Sequence, residues 1–229
     1  MSGYHLRFAL AWFVSVGVGC TSAPVRYYTL SPSSDKTQPA SQTLAIDVRV
    51  VHIPPQLNRS GLMVRTGTTE VTILENERWA SPLNDEIKDA LRLELRRRLG
   101  RMTGWRPGFA KLTLNVDVQQ FEAQVGQYAL LEASWSATLS GIGLPSNSAR
   151  AATCTFQAEE RIHTGYAEMV EGYQREIAAL ADAIAAVVTS SASGIEASCQ
   201  KSIEGSAAGS GSDAHQIHQR GVQYVSPSS

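Results

Sequence analysis

Residues 129–139 alternate without a break. Ala129, Leu131, Ala133, Trp135, Ala137 and Leu139 take one parity; Leu130, Glu132, Ser134 and Ser136 take the other. A period of two over that length predicts a half-buried strand with one face toward a core and one toward water. The same pattern recurs on both sides. Leu112, Leu114, Val116 and Val118 alternate with Thr113, Asn115 and Asp117, and residues 151–161 complete the set after a Gly/Pro/Ser/Asn loop at 141–150. Three such strands leave one apolar face that other elements must cover.

Two helical segments supply that cover. Leu83, Ile87, Leu91, Leu95 and Leu99 form an i, i+4 stripe. Ser81 and Pro82 suit its start, Asp85 and Glu86 its positive end, and Arg96, Arg97 and Arg98 its negative end, with Gly100 as the stop. The three arginines read as dipole compensation on a solvated face rather than as a lipid-headgroup patch. The second helix begins near Tyr166 and carries Val170, Tyr173, Ile177, Leu180, Ile184 and Val187 on one face. Its many alanines suit close packing against a sheet or a neighbouring subunit.

Earlier in the chain, Leu44, Ile46, Val48 and Val50 alternate as a strand that Pro54 and Pro55 stop. Leu62–Arg65 and Glu70–Leu74 read as short strands of a hairpin around the loop at 66–69. The order β-β-β-α-β-β-β-α predicts an α+β fold: a mostly antiparallel or mixed sheet of about five to six strands, with two helices packed on one face. The expected organisation is a signal peptide at 1–19, a flexible tether at 20–42, one domain at 43–199 and a disordered tail at 200–229. Within the tether, Arg26-Tyr27-Tyr28-Thr29-Leu30 is the first stretch expected to touch the globular part.

The N-terminus carries a separate signal. An apolar run at 8–18 (FALAWFVSVGV) follows Arg7 and ends in Gly17-Val18-Gly19-Cys20, after which the chain turns polar. The run is too short to cross a bilayer and has the length of a signal core. This is the layout of a bacterial secretory signal whose cleavage leaves a cysteine that takes acyl chains. Gly17 stands where such signals usually carry Leu. An ordinary signal peptide cut nearby, or a short uncleaved anchor, is the alternative. Thr21, in place of an Asp, makes the outer membrane the default destination. With Cys20 acylated, Cys154 and Cys199 are a candidate disulfide in an oxidising compartment, and two separate thiols are the alternative.

Chemistry is scarce. The formal charge is −1 over 229 residues, with no basic-aromatic stripe of the kind nucleic acid requires. No GxxxxGK[ST], HExxH or GxSxG occurs. His215 and His218 have metal-like spacing but sit in the tail without carboxylate or thiol neighbours. His52 and His163 lie at strand ends without a convergent partner. Glu159 and Glu160 are adjacent, so a strand sends them to opposite faces. The sequence therefore predicts no catalytic residues, no metal site and no cofactor. Trp79, just before the first helix, reads either as a staple for the helix entry or as an aromatic contact for a partner.

These pieces together resemble the ABC-transport auxiliary lipoproteins of the PqiC/YmbA type. The likeness rests on Cys20 followed by Arg26-Tyr27-Tyr28-Thr29-Leu30, on Val51-His52-Ile53-Pro54 and Leu57-Asn58-Arg59, and on Leu62-Met63-Val64-Arg65-Thr66. It continues through Glu77-Arg78-Trp79-Ala80-Ser81-Pro82-Leu83, Val116-Asp117-Val118-Gln119-Gln120-Phe121 and Leu131-Glu132-Ala133-Ser134-Trp135. The resemblance implies a non-enzymatic lipoprotein on the periplasmic face of the outer membrane. Its partner would be the periplasmic MCE protein of an inner-membrane ABC transporter that moves lipids between membranes. A structural envelope lipoprotein without a transport role is the rival reading, and self-association is a further expectation from the alanine-rich helix.

Overall fold

The computed structural model describes residues 23–32, 44–99, 110–141 and 150–190. The uninterrupted alternation of 129–139 lies on the sixth strand, β6 (Tyr128–Gly141), which pairs antiparallel with β5 (Ala110–Gln124) and β7 (Arg150–Arg161). The second strand, β2 (Leu44–His52), joins β5 in parallel, giving a four-stranded sheet ordered β2-β5-β6-β7. Register places Leu114 opposite Ala137, Val116 opposite Trp135, and Trp135 in turn opposite Cys154. These residues are all buried, whereas Asn115, Gln119, Thr153 and Thr155 of the other parity are exposed.

Two helices cover the apolar face, α1 (Leu83–Leu99) packing on β2 and α2 (Tyr166–Thr189) on β6 and β7. All five stripe residues of α1 and all six named on α2 are buried. Gly172 lets α2 come close: a Cβ there would sit 2.6 Å from Ile162 Cγ2 and 3.3 Å from Ala129 Cβ. Four alanines of α2 serve this internal packing, Ala181 and Ala183 buried and Ala179 and Ala185 half-buried against the core, while Ala167 and Ala186 are exposed. Of the three arginines ending α1, two are tied into ion pairs. Arg97 reaches Glu94 at 2.8 Å, and Arg98 bridges Glu94 and, across the helix pair, Asp182. Arg98 thus joins α1 to α2, which is more than dipole compensation.

The α+β class is as expected, but the seven strands divide between two sheets. The second sheet has three strands ordered β1-β4-β3: β1 (Arg26–Tyr28) runs parallel to β4 (Val71–Trp79), which pairs antiparallel with β3 (Gly61–Arg65). The hairpin around 66–69 is present, closed by Thr66 N–H donating to the Glu70 carbonyl at 3.0 Å. Two departures from expectation have clear causes. β1 is only three residues long, too short to show a period, so the folded unit begins before residue 43 and the expected tether over 20–42 is interrupted. β5 continues to Gln124 because a bulge between Val118 and Gln120 resets its parity, turning Phe121 and Ala123 inward where simple alternation would expose them.

Candidate functional site

The entry of α1 is organised by one buried carboxylate. Glu86 accepts hydrogen bonds from Thr29 Oγ1 (2.7 Å), the Leu30 backbone N–H (2.8 Å), Ser81 Oγ (2.7 Å) and the Ser81 backbone N–H (3.1 Å). Ser81 therefore serves α1 through Glu86 rather than by capping the helix N–H groups, in the manner of a capping box read backwards. The same carboxylate pins the N-terminal segment, and Leu30 beside it is fully buried. Gln174 of α2 adds a donor to the Thr29 carbonyl at 3.1 Å.

Next to this clasp lies an aromatic cluster. Phe121 and Tyr173 stack with centroids 3.9 Å apart, and Trp79 tilts against them at 6.2 and 6.4 Å. Trp79 is 6% exposed, so it packs as a core residue on the last position of β4. Tyr28, its register partner on β1, donates to Glu77 at 2.7 Å. Burial, reinforced by Glu176, pushes the Tyr173 hydroxyl well above its ordinary pKa, which keeps it neutral.

Above the three rings opens a shallow cleft of about 280 Å³, lined by Gln56, Leu57, Arg59, Met63, Leu83 and the rings themselves. One wall is a 3₁₀ turn, Pro55–Leu57, fixed by Leu57 N–H to the Pro54 carbonyl (2.9 Å) and Arg59 N–H to the Leu57 carbonyl (2.8 Å). Trp79 N–H donates to the Ser60 carbonyl at 2.8 Å, tying that turn to β4. Gly61 permits this approach, since a Cβ would fall 2.5 Å from the Leu74 carbonyl oxygen. The wall is thus preformed. Gln56 and Arg59 stand exposed at the rim, and among the described residues Arg59 has no ion-pair partner. Most of that volume is open solvent, and the enclosed part holds no more than the tip of one side chain.

Further along the sheet, Glu122 receives Arg65 at 2.5 Å and the Tyr128 hydroxyl at 3.0 Å. Those bonds, Arg65 first, hold its carboxyl below the ordinary carboxylate range and lock the β3–β4 hairpin to β5. Glu176 is the opposite case. It is fully buried on α2, where desolvation outweighs a backbone hydrogen bond from Glu160.

The remaining sequence candidates scatter. Cys20, Cys199, His215 and His218 lie outside the described residues. Cys154 is buried on β7 and disulfide-bonded. His52 and His163 are exposed and far from any cluster of ligands, and among the described residues no three His, Cys, Asp or Glu side chains gather as a metal site. No helix among them is long and apolar enough to cross a membrane. Glu160 faces α2, where it meets Arg175 at 3.4 Å, and its neighbour Glu159 is exposed. Sequence reasoning named Trp79 but missed Phe121, Tyr173 and Glu86 as its companions. The signal for Glu86 was present, five residues after Ser81 at a helix start.

The described residues thus form an α+β core with an N-terminal segment clasped to a helix entry and a shallow cleft beside it. The chain belongs to the family of ABC-type transport auxiliary lipoprotein components, whose model matches residues 28–185. It is 30% identical over 134 residues to the intermembrane transport lipoprotein PqiC of Escherichia coli (strain K12), covering 54% of this chain and 72% of that protein. PqiC of Shigella flexneri matches to the same extent. Among solved structures, an uncharacterized protein shares the fold at a TM-score of 0.54 and 22% identity, covering 73% of this chain and 100% of that one.

Proposed function

We propose that this protein is an outer-membrane lipoprotein, acylated at Cys20, that docks the periplasmic MCE component of an ABC-type lipid transporter from its position on the outer membrane. Its role is to hold the distal end of that assembly, without catalysis and without carrying lipid itself. The observation that carries the reading is the cleft beside Trp79. It is preformed and apolar at its floor and encloses little space, so it suits contact with a protein side chain better than a lipid cargo. Trp79 takes part as the floor of that cleft rather than as a protruding anchor. Kinship with PqiC, an intermembrane transport lipoprotein by name, supports the transport setting. Cys154 with Cys199 remains the proposed disulfide of the mature chain. Self-association through α2 remains a proposal, open to its exposed Ala167 and Ala186, whereas Ala181 and Ala183 serve the core.

The test is binding of the purified full chain to the periplasmic MCE protein encoded in the same genome. Gln56→Glu with Arg59→Glu alters only exposed rim positions and should leave Tm within a few degrees. The account expects that double variant to lose binding at least about tenfold, in keeping with reversal of a rim charge beside an apolar pocket. Absence of binding by the unaltered protein would promote the structural-lipoprotein reading.

A further inference from the structure

The folded unit begins close to the proposed anchor. β1 starts at Arg26, and the segment after it is immobilised by the Glu86 clasp and by burial of Leu30. Five residues separate Cys20 from Arg26, and the six steps between them span roughly 20 Å at full extension, whatever course they take. An acyl chain on Cys20 therefore holds the β1 end of the three-stranded sheet within that distance of the bilayer.

That end carries unusual side chains for a solvated edge. Among the described residues four large apolar side chains are exposed, and two of them are here: Val25 at 42% and Tyr27 at 65%, the most exposed of the four. Tyr27 sits opposite Arg78 in the β1–β4 register. Arg26, two-thirds exposed, spans outward from Glu77, which it meets at 3.0 Å. Tyr27 and its register partner Arg78, side by side on one face, are suited to the headgroup layer, where a ring sits at the apolar boundary and a guanidinium meets phosphate, whereas Arg26 turns to the other face with Glu77.

We infer that the β1 edge, through Val25 and Tyr27 with Arg78 beside them, rests in the headgroup layer of the phospholipid leaflet that holds the acyl chains. This rests on acylation of Cys20. The acyl group and this edge form two points of attachment, so the domain holds one orientation instead of swinging on a tether. The orientation matters for docking. Register carries Tyr27 to Arg78 and Arg78 to Gly61, which borders the cleft, so the cleft stands two strands, about 10 Å, from the membrane-facing residues. A conduit docked there would end at the membrane surface.

Tryptophan quenching by lipid tests this. Full-length chain, purified from membranes, is reconstituted into phosphatidylethanolamine–phosphatidylglycerol vesicles whose acyl chains carry bromine. Tyr27→Trp is compared with Thr153→Trp, placed on the exposed polar face eight residues up β7 from its Arg161 end. The emission added by Tyr27→Trp should fall by about half, as expected for a ring at the headgroup–acyl boundary, while that added by Thr153→Trp should be unchanged. Mass spectrometry of the same sample reports the state of Cys20. An acylated chain whose Tyr27→Trp emission is unquenched overturns this inference and leaves the lipoprotein reading intact. An unacylated chain overturns both. Emission that responds to added MCE protein but not to brominated lipid assigns the edge to a protein partner and also overturns it.

Discussion

Glu176 should make this protein less stable as pH rises, by an amount that one substitution isolates. The side chain is fully buried on α2. Desolvation, followed by the like charge of Glu160 on β7, pushes its pKa well above the ordinary 4.5; Glu159 adds to the shift, while a backbone hydrogen bond from Glu160 and the charge of Arg175 on α2 oppose it. The folded protein therefore holds a proton that the unfolded chain releases above pH 4.5. Because the native state binds the extra proton, stability is fully present below the unfolded value and declines as pH rises toward the folded one. The slope is about 1.4 kcal/mol per pH unit, a tenfold change in the folding constant for each unit. Glu176→Gln keeps the shape and removes the titration. Urea unfolding of both proteins at pH 5.5, 6.5 and 7.5 gives the difference directly. The variant should gain on the parent at each step by close to that slope, within the window below the folded pKa. A difference that stays constant with pH, or one that shrinks, refutes the reasoning.

Three further outcomes follow from the same contacts. Glu86→Ala strands four donors and frees the N-terminal segment, so it should cost about 3 kcal/mol in thermal melts and expose the peptide bonds after Arg26 to protease; intact resistance would contradict the clasp. Trp79→Ala should lower stability by about 3–5 kcal/mol, because the ring supports Phe121 and Tyr173, and an unchanged Tm would show that it serves a partner instead. Leu30→Ala should cost about 2–5 kcal/mol by chemical denaturation, a loss that a flexible tether at 20–42 would not show.

Long elements were legible because their burial pattern is their sequence pattern. The alternation of β6 and the stripes of α1 and α2 each face one surface throughout, so period alone located them. What escaped depended on pairing between distant residues. β1 is three residues paired with β4 far along the chain; its stretch was legible as a contact with the globular part, but three residues carry no period that marks a strand. The bulge after Val118 hid Phe121, since a reset of parity looks in sequence like the end of a strand. Glu176 stands at the right spacing to be one more core residue of α2, yet its carboxyl reads as a solvent-facing group until the helix is seen against β7. The cleft drew on the second of these gaps: its floor needs Phe121 from beyond the bulge, beside Tyr173 from α2 and Trp79 from a strand longer than its pattern suggested. The 3₁₀ turn that walls it was visible only as two prolines.

The central claim, that the cleft rim meets the periplasmic MCE protein, is tested most directly in living cells. A photo-crosslinking amino acid placed at Arg59, with a second placed at Thr153 as the control, reports what each surface touches in the intact envelope. The account predicts that position 59 captures the MCE protein, identified by mass spectrometry, and that position 153 does not. Capture of the MCE protein at 153 alone, or at neither position while the protein is present and acylated, would contradict it.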